Sequence, residues 1–464
     1  MTRLEGPPTV PLLGNLHLLP NPGEMHLKFM EWSKKYGDIL SIKIGSSTMV
    51  VLSSPTAIKE VVDKSSWAAS SRPANYLAGL AAGGYHILFA ADTALLRSLR
   101  KTIARFFSPS NALHRVPVQA AESTQLLYEI ITQPENFSDS IRRVASFTSP
   151  KMQSFYQMLH RFLHILLPGV YPPVDLPPVL KYLPERWAPW LAACRRSKSE
   201  MAAFHMEHSR AAELNLEDGP LEEYDIFSYT GFTLVEAGSD TSAAYLLSLT
   251  LILAVYPEHQ ERARREIEAV VGIARLPELA DFKHMPFVEA LIKEVIRIRP
   301  IFPIGVPHFT TEDILYKDYV VPKDTTIVLN TYSVFHNPEI FEEPEVFNPE
   351  RFMKSEHGTR PGMDTDFRDN FLFGAGRRIC PGQYVARATM QLTTMRLIWA
   401  FSFSSAVDTK TERPIGRELD FYDPEFVVMP YPFKCAIQPR SNEQRDMILS
   451  ASKDAKFLLQ RYEH

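Results

Sequence analysis

Cysteine is nearly missing from this chain: three residues in 464, at Cys194, Cys380 and Cys435. Three thiols so far apart make no disulfide framework, so a reducing compartment is implied. Glycine is outnumbered by proline, 20 to 36, which points to many kinked connections between helices. Neither sign of charge prevails: a net charge of −4 gives no basis for a nucleic-acid partner. Long apolar runs are also lacking. The opening MTRLEGPPTVPLLGNLHLLP has no signal-peptide core, and the longest nearly uninterrupted run, Ala243 to Val255, is too short to cross a bilayer and reads as a buried helix. What is left is 45% hydrophobic and 22% charged, a globular chain with a large core. Its length admits two or three average domains or one large unit.

One of the few cysteines lies in the most informative stretch, Phe371 to Met390 (FLFGAGRRICPGQYVARATM). Gly374, Gly376 and Gly382 permit close backbone approach to something flat, and Arg377 and Arg378 place positive charge beside it. After Pro381, the residues Val385, Ala388, Thr389, Leu392, Met395 and Trp399 recur at helical spacing, so Cys380 stands just ahead of a helix N-terminus that favours a thiolate. A lone cysteine is more often structural. A thiolate beneath a glycine loop, however, suits an axial ligand to haem iron with arginine facing the propionates.

Phe373-Gly-Ala-Gly376-Arg-Arg378-Ile-Cys380-Pro-Gly382 resembles the haem-binding loop of the cytochrome P-450 monooxygenases at every fixed position. The lead-in Phe367-Arg-Asp-Asn-Phe371 and the tail Pro432-Phe433-Lys434-Cys435 are similar to fungal microsomal members. The resemblance runs from Gly6 to about Pro439. It implies a mainly α fold with a small β region, in which haem b lies between a long central helix and the cysteine loop. The implied organisation is a proline-rich hinge over 1–20 that begins where a membrane anchor would end, a single haem-thiolate domain over 21–440 and a charged surface tail over 441–464.

The central helix is expected at Asp225 to Tyr256, closed by Pro257. Its Ala237-Gly238-Ser239-Asp240-Thr241-Ser242 resembles the family's oxygen-activation segment: Gly238 leaves room for oxygen, Thr241 holds a hydrogen bond and Asp240 relays protons. A polar notch ahead of an apolar half-helix needs such a reason, although a plain kink has the same composition. Ala94 to Phe107 reads as a basic helix. The resemblance makes Arg100 a propionate contact and its neighbours part of a reductase-docking face, against the plain reading of a solvated cationic side. Where the family usually has a tryptophan, four residues before Arg100, this chain has Leu96. His308 is a second propionate donor by position. Glu294 and Arg297 share a helix face on Met285 to Ile298; with Arg351 of Pro349-Glu-Arg-Phe352 they resemble the family's buried structural triad, where the plain reading is a minor exposed pair.

Further elements are expected as helices at His26–Tyr36, Pro55 to about Lys64, Glu122–Thr132, Phe137–Ala145 and Pro257–Gly272, and as a hairpin over Asp38–Ile44 and Thr48–Leu52. Ser71 to about Ala91 reads as a loop covering the substrate cavity. Phe302 to His308 reads as a strand with Phe302, Ile304 and Val306 toward substrate, and Asp423 to Met429 as a turn bringing Phe426, Val427 and Val428 there. Compared with the family, the regions near 146–155 and 204–223 are short. The implied function is insertion of one oxygen atom from O2 into a small hydrophobic substrate, with NADPH-cytochrome P-450 reductase as partner, at the cytosolic face of the endoplasmic reticulum membrane. Two alternatives stay open: a haem-thiolate isomerase, dehydratase or peroxide user, and a shortened haem-binding form without turnover.

Overall fold

Proline opens three of the long helices in the computed structural model, which describes residues 4–82, 86–144, 158–159, 161–166, 170–172, 174–175, 178–211, 221–363, 366–368, 371–405, 422–423 and 427–461. Pro189, Pro257 and Pro286 each stand at the first position of a helix, where the missing N–H has no intrahelical partner to lose. The expected region near 146–155, residues 212–220 of the second short region, and Phe426 lie outside the described residues.

The fold is mainly helical. Its axis is a 35-residue helix, Leu221–Val255, about 50 Å long at the usual rise per residue. Its C-terminal half is buried on every side: Ala243 to Leu247, Leu249 and Leu251 to Leu253 all lie in the core. Thr233–Val255 is long and apolar enough to span a membrane by composition, but 78% of its most apolar window is inside the protein, as a core helix requires. Against it pack the helix that follows the cysteine loop, Gln383–Ala400, and the Pro286–Ile298 helix. Tyr245 hydroxyl and Thr394 hydroxyl meet at 2.9 Å, fixing the first of these contacts inside the core.

The small β region is a four-stranded sheet with β1 (Ile39–Ile44), β2 (Ser47–Leu52), β3 (His308–Phe309) and, after a short β4–β5 hairpin (Ile314–Tyr316 and Tyr319–Val321), β6 (Thr325–Leu329). The order is β1-β2-β6-β3, with β2 and β6 parallel and the other pairs antiparallel. The register His308↔Ile327 holds His308 at the sheet edge nearest the cysteine loop.

Three expectations are corrected. The charged tail is a helix, Asn442–Gln460, capped by the Ser441 hydroxyl and packed along Val116–Thr132 with Gln444, Ile448, Ser452 and Ala455 buried; its apolar residues sit one turn apart among charges, a stripe that overall composition hides. The expected strand at Phe302–His308 is a turn over 301–306 that becomes strand only at His308, because Gly305 takes φ +61° and Phe302 carbonyl accepts from its N–H. The loop after Ser71 contains a helix, Tyr76–Ala82, whose alanines bury.

Acid should weaken this fold in a predictable window. Three rings stand in a row: Tyr332 stacks on His336 at 3.8 Å and meets His26 edge-on at 4.5 Å. Burial, aided by Arg299 for His26 and Arg297 for His336, lowers their pKa to about 4 and about 3. The folded protein therefore binds these protons more weakly than the unfolded chain. Stability is intact above the unfolded value of about 6.5 and falls below it by roughly 1.4 kcal/mol per pH unit for each ring, until each folded pKa is reached. Urea unfolding at pH 7 and pH 5 checks this, and His336→Gln should remove about half of the local proton uptake.

Candidate functional site

The site forms where the cysteine loop, the central helix and the turn after Tyr76–Ala82 converge. Phe373 carbonyl accepts the Cys380 N–H at 2.8 Å, which folds the loop back on itself and presents the sulfur beside Gly382. Gly376 must be glycine: its φ is +59°, and a Cβ there would lie 2.5 Å from Val62 carbonyl. That close approach is to the chain's own backbone, and Asp63 carboxylate accepts the Gly376 N–H at 2.6 Å. Gly374 (φ +82°) and Gly382 have only ordinary clearances. Gly382, expected as a point of close backbone approach, is the N-cap of the following helix, which begins at Gln383 and leaves Pro381 just outside it. The thiol itself is pushed up in pKa by burial, with the Gly382 N–H and the Arg100 guanidinium opposing this. The helix terminus therefore lessens the cost of a thiolate without making one in the protein alone.

Cations gather above this loop. Arg378 donates to the carbonyls of Ser70 (2.6 Å), Ile87 (3.3 Å) and Ala90 (2.7 Å), and Arg100 to Ile379 carbonyl at 2.7 Å. Arg72, which sequence reasoning passed over, joins them by donating to Leu88 carbonyl at 3.0 Å and to Val306 and Pro307 carbonyls at 2.9 and 2.6 Å. His308 is buried beside them, its Nδ1 2.8 Å from Ala69 carbonyl. Burial lowers Arg72 well below its usual range, with Arg378 and Arg100 adding to the effect; burial and Arg100 bring Arg378 to about 10. Burial first, then Arg72, brings His308 to about 3, so this ring is neutral. Among the described residues none of the three arginines has a carboxylate in an ion pair. Two buried guanidiniums and a half-buried third, with only the Asp92 carboxylate acting on Arg100 and Arg378 from a distance, are costly, and a cofactor edge carrying two carboxylates is what they fit. One sequence signal for Arg72 exists: it is the only Lys, Arg, Asp or Glu between Lys64 and Asp92.

On the facing side, Ser239 and Asp240 are buried while Ala237 and Gly238 are open and Thr241 is half-buried. A Cβ on Gly238 would meet nothing within 4 Å, so there is space over this turn. Thr241 hydroxyl donates to Ala237 carbonyl at 2.7 Å, leaving its lone pairs turned outward to accept. Leu96, in the place of a tryptophan donor, is buried with Ile87 and Ile103 and contributes packing only.

Of the expected lining residues, Phe302 packs on the main core and Ile304 on the cluster between β1, β2 and the Met25–Tyr36 helix. Val427 is a buried member of the main core. Val428, half-buried, donates its N–H to Ile301 carbonyl at 3.0 Å, so the two lining segments do meet, and Val306 is half-buried where its carbonyl binds Arg72.

Glu294, Arg297 and Arg351 are assembled in the interior. Glu294 accepts from Arg297 Nε and Nη2 at 2.7 and 2.8 Å, from Asn348 N–H at 2.8 Å and from Arg351 Nε at 3.3 Å. The arginines continue to the carbonyls of Phe335, Pro344, Val346 and Glu342. The group thus ties the 335–348 segment to the Pro286–Ile298 helix, and among the described residues none of its hydrogen bonds goes to the cysteine loop.

The comparisons agree with this arrangement. Residues 4–435 match the family described as Cytochrome P450. A cytochrome P450 monooxygenase of Armillaria gallica is 36% identical, over 99% of this chain and 93% of the relative. The cytochrome P450 monooxygenases macC of Penicillium terrestre and yanC of Aspergillus niger are each 32% identical, over 96% of this chain and 91% and 90% of their own. With its fold mainly helical around one long central helix and its full length matched, the chain belongs to the cytochrome P450 family of haem-thiolate monooxygenases, an oxidoreductase most like fungal members.

Proposed function

We propose that the chain hydroxylates, or oxidises in a related way, a small hydrophobic compound of fungal secondary or xenobiotic metabolism, using O2 and two electrons passed from NADPH by a reductase. The observation that carries this is the pairing of Cys380 with an anion-seeking cluster, Arg72, Arg100 and Arg378, across from an open turn at Gly238. Haem b held there, with Cys380 as its thiolate ligand, would supply the O2 chemistry. Arg72, Arg100 and Arg378 hold the propionates; His308 gives its Nδ1–H to Ala69 carbonyl, so it donates to a propionate from Nε2 only as imidazolium, the form a carboxylate beside it favours. Phe373, Gly376 and Gly382 shape the loop beneath.

Asp240 and Thr241 manage protons. Thr241 Oγ1 accepts from an ordered water while donating to Ala237 carbonyl, and Asp240 passes protons to that water from the far side of the helix. Val306 and Val428, half-buried where the two segments meet, keep the substrate side apolar with Phe302, Ile304 and Val427 packed behind them, which excludes bulk water and orients substrate without identifying it. The exposed cations Arg97, Lys101 and Arg105 on the Ala94–Phe106 helix offer the docking face for an acidic reductase, and the resemblance to fungal microsomal members favours the cytosolic face of the endoplasmic reticulum membrane.

The carbon-monoxide difference spectrum of the reduced protein tests the reading: a far-red-shifted Soret band supports it, and failure to take up haem overturns it. Thr241→Ala tests the proton role. The hydroxyl only back-bonds within its helix, so its loss should cost under about 1 kcal/mol of stability. NADPH consumption should persist while product per NADPH falls about tenfold or more, short of the roughly 10²–10⁴-fold of a positioned proton transfer because water partly replaces the hydroxyl. Unchanged coupling would remove Thr241 from the relay.

A further inference from the structure

The turn over 86–90 is gripped from two sides. From the cysteine-loop side, Arg378 binds the carbonyls of Ile87 and Ala90 and Arg72 that of Leu88. From the central helix, Glu236 Oε2 meets His86 Nε2 at 2.7 Å, with side chains 8% and 2% exposed. Leu88 N–H donates to His86 Nδ1 at 3.3 Å, so Nδ1 carries the lone pair and Nε2 the proton that it donates to the carboxylate. The ring also stacks on Phe162 at 5.2 Å and lies 5.0 Å from Phe89. The backbone of the turn closes on the same residue, as Phe89 and Ala90 N–H both donate to His86 carbonyl.

Glu236 stands one helical turn before Asp240 and shares its side of the helix, next to the face formed by Ala237 and Thr241. A carboxylate buried in so apolar a segment is retained only with a fitted partner. None of the roles derived above uses this pair. It links a turn held by two of the propionate arginines, Arg72 and Arg378, to the helix that carries the proton relay.

We propose that His86 and Glu236 are a positioning pair: a neutral N–H···carboxylate bond that sets how closely the 86–90 turn approaches the central helix, and through this the size of ligand that fits over the haem face. The proposal rests on the haem reading above. Because the bond needs a donor and an acceptor and not two charges, Glu236→Gln and His86→Gln preserve it, whereas Glu236→Leu and His86→Ala abolish it.

Two readouts on the purified holoenzyme test this. In spectral titrations with imidazole and with 4-phenylimidazole, the ratio of the two dissociation constants should change about tenfold in Glu236→Leu and His86→Ala, while imidazole alone changes less than about threefold. Both glutamine variants should keep the wild-type ratio. Hydrogen exchange at the amides of Phe89 and Ala90, which needs no haem, should speed up about tenfold in the same two variants and not in the glutamine ones. An unchanged ratio or unchanged exchange in His86→Ala overturns the proposal, and so does a Glu236→Gln protein that behaves like Glu236→Leu, since charge would then matter. A wild-type protein without haem overturns the haem reading and the size selection together, and the exchange measurement then decides the bond separately. Should Glu236→Leu fail to fold, His86→Ala carries both readouts.

Discussion

Glu294→Ala lowers folding stability by about 3–5 kcal/mol, the range for removing one partner of a buried ion pair. The reason lies in what would be left behind. Arg297 is 1% and Arg351 6% exposed, so neither cation can turn to water once the carboxylate is gone. Arg297 loses both Nε and Nη2 acceptors, Arg351 loses its Nε acceptor and Asn348 N–H is orphaned. Each is a buried donor paying its desolvation without return. Glu294→Gln keeps one acceptor oxygen for Arg297 and should lose less. Arg297→Lys should rescue little, since one ammonium cannot reach the carboxylate in two places and also Phe335 and Pro344 carbonyls. Urea unfolding midpoints of the three variants settle the order. A loss below about 1 kcal/mol for Glu294→Ala would return the pair to the exposed class that its sequence spacing alone suggested.

That triad shows how far the sequence could be read. Glu294 and Arg297 are legible as a pair because a helix puts residues three apart on one face, and Arg351 only through a motif. Their carbonyl acceptors at 335, 342, 344 and 346 are in irregular backbone, which no periodicity announces. The same division holds elsewhere. The central helix, the cysteine helix and the β1–β2 hairpin have local signals, and each appears within a few residues of its expected bounds. The turn at 301–306 looked like a strand because apolar residues alternate there. Its hydrogen bonds instead come from Gly305 and from Arg72 more than 200 residues away. Arg72 and the His86–Glu236 bond were missed for a related reason. Each meets its partners only after distant segments have packed, and a single charge in an apolar stretch is a hint without a direction. The Asn442–Gln460 helix was hidden by its polar composition until its four buried residues were seen to form one stripe.

Cys380→Ser should leave the fold intact and abolish turnover. The backbone bond from Cys380 N–H to Phe373 carbonyl does not involve the side chain, and serine fills nearly the same volume beside Gly382, so circular dichroism and unfolding should change little. The chemistry should change completely. A thiol held above its usual pKa by burial becomes a thiolate when it coordinates a metal, which deprotonates the ligand outright. A serine hydroxyl, far less acidic, gives no such anion, and the electron donation that favours O–O cleavage is lost with it. The reduced, carbon-monoxide-treated variant should therefore lack the far-red-shifted Soret band and form no product, even where haem is retained by Arg72, Arg100 and Arg378. The other two cysteines offer no substitute: burial raises Cys194 to about 11 and Cys435 to about 12, and neither lies in the cysteine loop. A far-red band persisting in Cys380→Ser would mean that another thiolate binds the iron, and the site built around Phe373 to Gly382 would have to be moved.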